Sequence, residues 1–256
     1  MEVIKTVSEF FLLSLGFGTG FFTFLVPTKY TGVGFLKLIM TVVFGATLLG
    51  IILLFSSSIS ISSPLMIGLY GIVALLAFQY ANHKDQKSPT MWGMFILQQI
   101  IYIGALYYFS EAKVQNFAFM LLSALYLGIV NYSMLLGHYY LVVPRLSEKP
   151  LLNANMIFWG LLAIRVVLSL KSTLDHNSFF EAGSVDGQGY MFNWIILSMR
   201  WLWGYLAVFV LSVFNWKLCK MRSIQSATGV LYVMVFFTLI GELISAYMFL
   251  NYGLAI

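Results

Sequence analysis

Three ionisable side chains, Arg165, Arg200 and Glu242, lie deep inside long apolar stretches of the sequence. An ionisable group at the centre of a bilayer costs about 2.5–3.5 kcal/mol on insertion scales, so each needs a partner or a function. Two arginines and one glutamate neutralise one another only in part, and Glu9 is a further candidate to balance the spare positive charge.

Two interpretations of these charged residues are open. The first is a binding site or proton relay: a charged pocket that binds an anion, a quinone headgroup or a lipid headgroup, or that carries protons through Glu242. The second is a buried ion-pair lock, which would only orient the helices that carry the charges.

A second candidate site is centred on His138, which shares a helix face with Asn131. Gln79 and Gln98 fall at inner depths in neighbouring apolar stretches and could reach it. Because histidine changes charge near neutral pH, a proton relay through His138 and Asn131 is one hypothesis. A hydrogen-bonded histidine that only supports the structure is the alternative.

A metal or haem ligand is a further hypothesis for His138. Ligation of a haem by two histidines needs a second one, and His83 is predicted to lie on the same side of the membrane. The spacing of the histidines does not require a haem. Quinone and haem therefore stay as the two possible cofactors, and no metal site is assigned.

The composition predicts that the solvent of this chain is lipid. Of its 256 residues, 61% are hydrophobic and only 9% are charged, and the mean hydropathy is +0.91. A soluble domain carries roughly a quarter charged residues. The net charge of +5 is explained by basic residues that flank membrane spans, so no nucleic-acid partner is expected.

The apolar stretches predict an all-α fold, a polytopic transmembrane bundle of about eight helices that forms one transmembrane domain over residues 1–256. Helices are expected because a helix satisfies its own backbone hydrogen bonds in lipid. The predicted spans are Val7–Val26, Phe35–Phe55, Pro64–Asn82, Met91–Phe109, Val114–Val143, Asn153–Leu170, Tyr190–Trp216 and Gln225–Tyr252.

Basic residues cluster in alternate loops, which predicts an orientation. By the positive-inside rule, both termini lie on the outer face. The basic loops contain Lys29, Lys84, Lys87, Arg145, Lys149, Lys217, Lys220 and Arg222. The opposite loops contain Lys113 and Lys171 together with Glu111, Asp175, Glu181 and Asp186.

This orientation places the charged residues at one depth. With a rise of about 1.5 Å per residue, Arg165, Arg200 and Glu242 all fall in the outer half of the bilayer. The acidic loop at residues 171–189 then lies outside, where it is either a docking surface for a cationic periplasmic protein, such as an electron carrier, or a solvated connector.

Two stretches carry a resemblance to a known family. They are Met134–Leu141, followed by Pro144 and Leu146, and Gln225–Tyr232, followed by Ile240–Leu243. Together they resemble an uncharacterised family of bacterial multi-pass membrane proteins. The resemblance implies a bacterial inner-membrane location and no particular activity. The size and multi-span plan are also similar to the membrane subunits of quinone-linked oxidoreductases of the polysulfide-reductase type, in architecture only.

The sequence thus favours a non-enzymatic integral membrane protein, either transporter-like or a membrane-embedded subunit that contacts other membrane subunits. Its loops are too short for a catalytic domain, and its Ser, Cys and His residues show no nucleophile pattern. The alternatives are a quinone- or haem-binding subunit of a membrane redox complex, with a role in electron transport, and a structural or assembly protein.

Overall fold

The fold is that of a computed structural model, which describes residues 2–25, 28–56, 63–82, 89–111, 113–143, 146–184 and 187–256. Eight helical segments make up these ranges. They are α1 Glu2–Phe21, α2 Thr28–Ser56, α3 Pro64–Asn82, α4 Pro89–Phe109, α5 Val114–Val142, α6 Lys149–Asp175, α7 Tyr190–Lys220 and α8 Ile224–Tyr252.

The predicted helices are confirmed, with shifted ends. The helix α2 begins at Thr28, earlier than the predicted Phe35, and α6 continues to Asp175, beyond the predicted Leu170. After α1 the chain tightens into a 3₁₀ turn, Phe22–Leu25.

Seven of these helices are long and apolar enough to cross a membrane, and α3 carries a shorter apolar stretch, Pro64–Gln79. An all-helical apolar bundle of this kind is compatible with a multi-pass integral membrane protein.

Successive helices run antiparallel. In the first half, Gly50 of α2 faces Leu13 of α1, whereas Val43 of α2 faces Gly20. In the second half, Ser169 contacts Tyr205 near one end of the α6–α7 pair, and Asn155 of α6 contacts Asn215 near the other. Because eight segments alternate in direction, the start of α1 and the end of α8 lie at the same end of the bundle.

The helix α5 is the central element, since it packs against both halves. Its contact with α1 is closest at Gly18 and Gly128, where a Cβ on either glycine would collide with the backbone of the other helix. On its opposite side Phe119 stacks on Phe249 of α8, with ring centroids 4.0 Å apart. The helices α5–α8 thus form one packed group, and the charged residues lie inside it.

Candidate functional site: a buried charge cluster between α5, α6, α7 and α8

The Glu242 carboxylate on α8 is the centre of the candidate site. Arg165 of α6 donates from Nη2 to both carboxylate oxygens, at 3.0 and 3.1 Å. Arg200 of α7 places its Nη2 2.9 Å from Oε1. The Ser123 hydroxyl of α5 donates to Oε2. Side chains from three helices therefore converge on one carboxylate of a fourth.

A second set of groups holds the two guanidinium groups in place. Arg200 donates from Nη2 to the Tyr205 hydroxyl at 2.7 Å, and that hydroxyl also bonds to Ser169. Arg165 donates from Nη2 to Ser245 Oγ at 2.8 Å. The side chain of Ser245 in turn donates to the main-chain oxygen of Ile256. We call Arg165, Arg200 and Glu242, with these supporting groups, the charge cluster.

Aromatic rings cover the faces of both guanidinium groups. The Arg200 Cζ atom lies 4.1 Å from the ring centroid of Tyr205, and the Arg165 Cζ atom lies 4.8 Å from that of Phe119. Such cation–π contacts stabilise a desolvated cation by about 2 kcal/mol.

A π-helical segment, Arg200–Ala207, interrupts α7 at the cluster. The wider turn of a π-helix brings residues five apart onto one face. Arg200 and Tyr205 have this separation, and their hydrogen bond follows from it. Segments of this kind are rare and are frequently found at functional sites.

A pair of glycines lets α7 and α8 approach closely at the same level. A Cβ on Gly204 would lie 3.1 Å from the Gly241 Cα, and a Cβ on Gly241 would lie 2.5 Å from the Gly204 Cα. The Tyr126 hydroxyl of α5 donates to the Gly204 main-chain oxygen at 3.0 Å. The glycine pair thus brings Arg200 of α7 within reach of Glu242, the residue that follows Gly241 on α8.

The cluster is closed to its surroundings. The exposed fractions of Arg165, Arg200 and Glu242 are 1%, 0% and 1%. Three cavities in the described part of the chain have volumes of about 770, 350 and 330 Å³, and other residues line them. The largest is a groove between α3 and α4, floored by Gly68 and Gly104. None of these three cavities therefore leads to the charge cluster.

The structure brings together the three charged residues that the sequence places at one depth, and it separates Asn131 and His138 from them. Asn131 is buried on the other side of α5, where its Nδ2 donates to Thr19 Oγ1 of α1 at 2.8 Å. His138 lies on the bundle surface, where its Nδ1 contacts the Tyr232 hydroxyl at 2.8 Å.

The predicted contacts of His138 with Gln79 and Gln98 are wrong. Both amides are buried and have no hydrogen-bond partner. Asn131 and His138 lie only about 20° apart around α5. At the level of Asn131 this side is covered by Thr19 of α1, whereas one heptad further along His138 is exposed.

The haem hypothesis for His138 stays a prediction. His83 lies outside the described residues, so its position relative to His138 is not part of the structure. Within the ranges that the structure does describe, no group of three or more His, Cys, Asp or Glu side chains is placed to hold a metal ion.

The uncharged residues of the charge cluster escaped the sequence analysis. Ser245 lies three positions after Glu242, on the same face of α8, so helical spacing could have revealed it. Tyr205 could not be found by α-helical periodicity, because its contact depends on the π-helical turn. Ser123 is one of many serines in the spans, and only the packing of α5 on α8 distinguishes it.

The loop that follows α6 folds back on the bundle. A 3₁₀ turn, Asn177–Phe180, buries Phe179 and Phe180 under the start of α7. Asn193 and Trp194 donate side-chain hydrogen bonds to the main-chain oxygens of these two residues, at 3.1 and 2.8 Å. The acidic side chains of Asp175 and Glu181 face outward.

Comparisons of the chain with protein-family models, with curated proteins and with solved structures find no match. The geometry of the charge cluster is therefore the basis for the functional conclusion.

Proposed function

We propose that this chain is a non-enzymatic, multi-pass integral membrane protein in which the charge cluster ties four helices into one rigid group, as in a membrane-embedded subunit or scaffold. One observation carries the proposal: the Glu242 carboxylate of α8 accepts hydrogen bonds from Ser123 of α5 and Arg165 of α6 and forms an ion pair with Arg200 of α7. No single helix can shift without breaking one of these bonds.

The closed packing supports a structural role over a substrate pathway. A transport site has to exchange its ligand with water, whereas Arg165, Arg200 and Glu242 are sealed among helices and aromatic rings. A buried ion pair contributes little net stability over an apolar core, but breaking it is costly. This combination suits a device that fixes which helices are neighbours.

The lock can be tested by comparing single and triple substitutions. Glu242→Gln leaves Arg165 and Arg200 without their carboxylate, so it is expected to reduce the yield of folded, monodisperse protein from membranes. Arg200→Gln keeps the Arg165–Glu242 pair and is expected to reduce that yield less. The triple variant Arg165→Met, Glu242→Met and Arg200→Met removes every charge and is expected to restore that yield. If the single variants stay fully folded, the charges are not needed for folding, and a binding site or proton relay is favoured over the lock.

A transporter-like role for an anionic substrate is the second candidate, and one observation favours it. The cluster contains two guanidinium groups and one carboxylate, so it retains a formal charge of +1. Arginine rings in channels and transporters select anions. A quinone- or haem-binding redox subunit has no comparable observation in its favour.

The proposed orientation puts both termini outside a bacterial inner membrane. Support comes from the ends of the helices. The end that carries the α6 and α8 N-termini has an ion pair between Arg222 and Glu148, at 3.4 Å, and further basic residues nearby. These are Lys149, Lys217 and Lys220. The opposite end carries Glu111, Asp175 and Glu181.

Labelling of introduced cysteines tests this orientation. After Cys219→Ser, a cysteine at exposed Ser178 is expected to react with an impermeant maleimide on intact cells. One at exposed Met221 should react only after the membrane is opened. The reverse pattern would place the termini inside. A docking role for residues 171–189 stays a prediction, as does the identity of any partner.

A further inference from the structure

The groove between α3 and α4 has the size and lining of a ligand site. Its volume is about 770 Å³. Ligand sites have volumes of about 300–1,000 Å³ and are lined mostly by apolar side chains, with a few polar groups. Here Leu65, Ile101 and Ala105 supply apolar surface, and Glu111 is the charged residue among the described lining residues. That lining contains no residue of the charge cluster.

The open space in the groove depends on a glycine of α4. A Cβ on Gly104 would meet no other atom within 4 Å, whereas one on Gly68 of α3 would lie 3.2 Å from Ile101. Gly104 is exposed and lines the groove. A long side chain at residue 104 would therefore occupy the groove and would not collide with α3.

The groove is apolar at its deep end and polar where α4 ends. Ile101 lies eight residues before the last residue of α4, Phe109, which corresponds to about 12 Å along the helix. Tyr107 and Tyr108, in the last turn, are 44% and 53% exposed. Tyrosines of this kind lie at the level of lipid headgroups in membrane proteins. The groove thus leads from the apolar part of the span to that level, where Glu111 follows.

An exposed ion pair stands at this polar end. Lys113 Nζ donates to Glu111 Oε2 at 2.8 Å, and the two side chains are 65% and 74% exposed. The contact with Lys113 lowers the pKa of the Glu111 carboxyl, so the carboxylate is ionised near neutral pH. Glu111 also has a left-handed backbone, with a φ of 55°, at a helix end where glycine is usual. A carboxylate and an ammonium are thus presented side by side.

We propose that this groove binds one phospholipid whose zwitterionic headgroup carries a primary ammonium. One acyl chain lies in the groove beside Gly104, the ammonium of the headgroup donates to Glu111, and the phosphate accepts from Lys113. Such a ligand matches both the polarity of the groove along α4 and the two charges at its end. The site rests on the membrane location proposed above, and it adds a ligand that lies apart from the charge cluster.

Competition between two lipids tests this site. The purified full chain in detergent is mixed with equal amounts of phosphatidylethanolamine and phosphatidylcholine that have the same acyl chains, and bound lipid is counted by native mass spectrometry. The trimethylated ammonium of phosphatidylcholine has no N–H to donate. One retained lipid is expected, with phosphatidylethanolamine favoured by up to about fivefold, the scale of one exposed ion pair.

Three variants separate the acyl-chain seat from the headgroup contact. Gly104→Leu fills the groove and is expected to lose the bound lipid. Gly93→Leu is the matched control, because Gly93 is also an exposed glycine of α4 with open space around it but does not line the groove. It should keep the lipid. Glu111→Gln should keep the lipid too, with a ratio of phosphatidylethanolamine to phosphatidylcholine near one.

Equal retention of the two lipids by the wild-type protein would overturn the headgroup assignment. A bound lipid that survives in Gly104→Leu as it does in Gly93→Leu would overturn the groove as its site. A dimer that Gly104→Leu alone dissociates would place a second copy of the chain in the groove, and would likewise overturn the lipid. None of these results bears on the lock, which fails only if Glu242→Gln is as stable as the wild type.

Discussion

Replacing Glu242 with glutamine is the most informative single change. Glutamine keeps nearly the same shape but removes the charge that Arg165 and Arg200 contact at 2.9–3.1 Å. The formal charge of the cluster rises from +1 to +2, at sites that are at most 1% exposed. Removing one partner of a buried ion pair costs about 3–5 kcal/mol. Because two arginines lose their partner here, we expect the upper part of that range.

The free energy of unfolding, from denaturant titration of the purified protein in mixed micelles, measures this loss. The matched control is Glu111→Gln, which removes a carboxylate that is also ion-paired, to Lys113 at 2.8 Å, but is 74% exposed. Exposed pairs contribute little because water and salt screen them, so no measurable change is expected there. If Glu242→Gln has the same free energy of unfolding as the Glu111→Gln control, the charge cluster does not hold the helices α5–α8 together.

Three further changes test other contacts of the bundle. Gly241→Leu should destabilise the bundle by about 1–3 kcal/mol through overpacking. Gly229 has open space around it, so Gly229→Leu should not destabilise the bundle. Equal losses of stability in the two variants would contradict the close contact of α7 and α8. Asn131→Leu should cost about 1 kcal/mol by breaking the bond to Thr19, and a loss as large as that of Glu242→Gln would be inconsistent with its separate position. His138→Phe should leave the visible absorption spectrum of the purified protein unchanged, and loss of an absorption band would revive the haem hypothesis.

The helices could be predicted because long apolar runs favour a helix, which satisfies its own backbone hydrogen bonds. Apolar runs such as those of α5 and α8 reveal their class and approximate ends by length alone. The ends themselves depend on contacts that hydropathy does not contain. The helix α2 starts at Thr28, before the apolar run, and α6 continues through polar residues to Asp175.

The three charges of the cluster could be predicted for a similar reason. Charged side chains within apolar spans are expected to pair with opposite charges. Counting residues along antiparallel spans puts Arg165, Arg200 and Glu242 at one level. Their detailed partners could not be predicted. The bond from Arg200 to Tyr205 needs a π-helical turn, and the sequence of α7 shows no sign of one.

The error over His138 has a geometric origin. Asn131 and His138 are one heptad apart and lie on nearly the same side of α5. Neighbours along that side differ with depth: Asn131 packs on Thr19 of α1, and His138 is exposed beside Tyr232. Sequence periodicity gives the side of a helix but not what covers it at each level.

An experimental structure of the protein in lipid nanodiscs tests the central claim most directly, at the space between Arg165, Arg200 and Glu242. The account predicts that the Glu242 carboxylate lies within hydrogen-bond distance of both guanidinium groups and of Ser123, in a closed site between α5 and α8. A water-filled passage that separates the two arginines from Glu242 would contradict the lock and would favour a transport pathway.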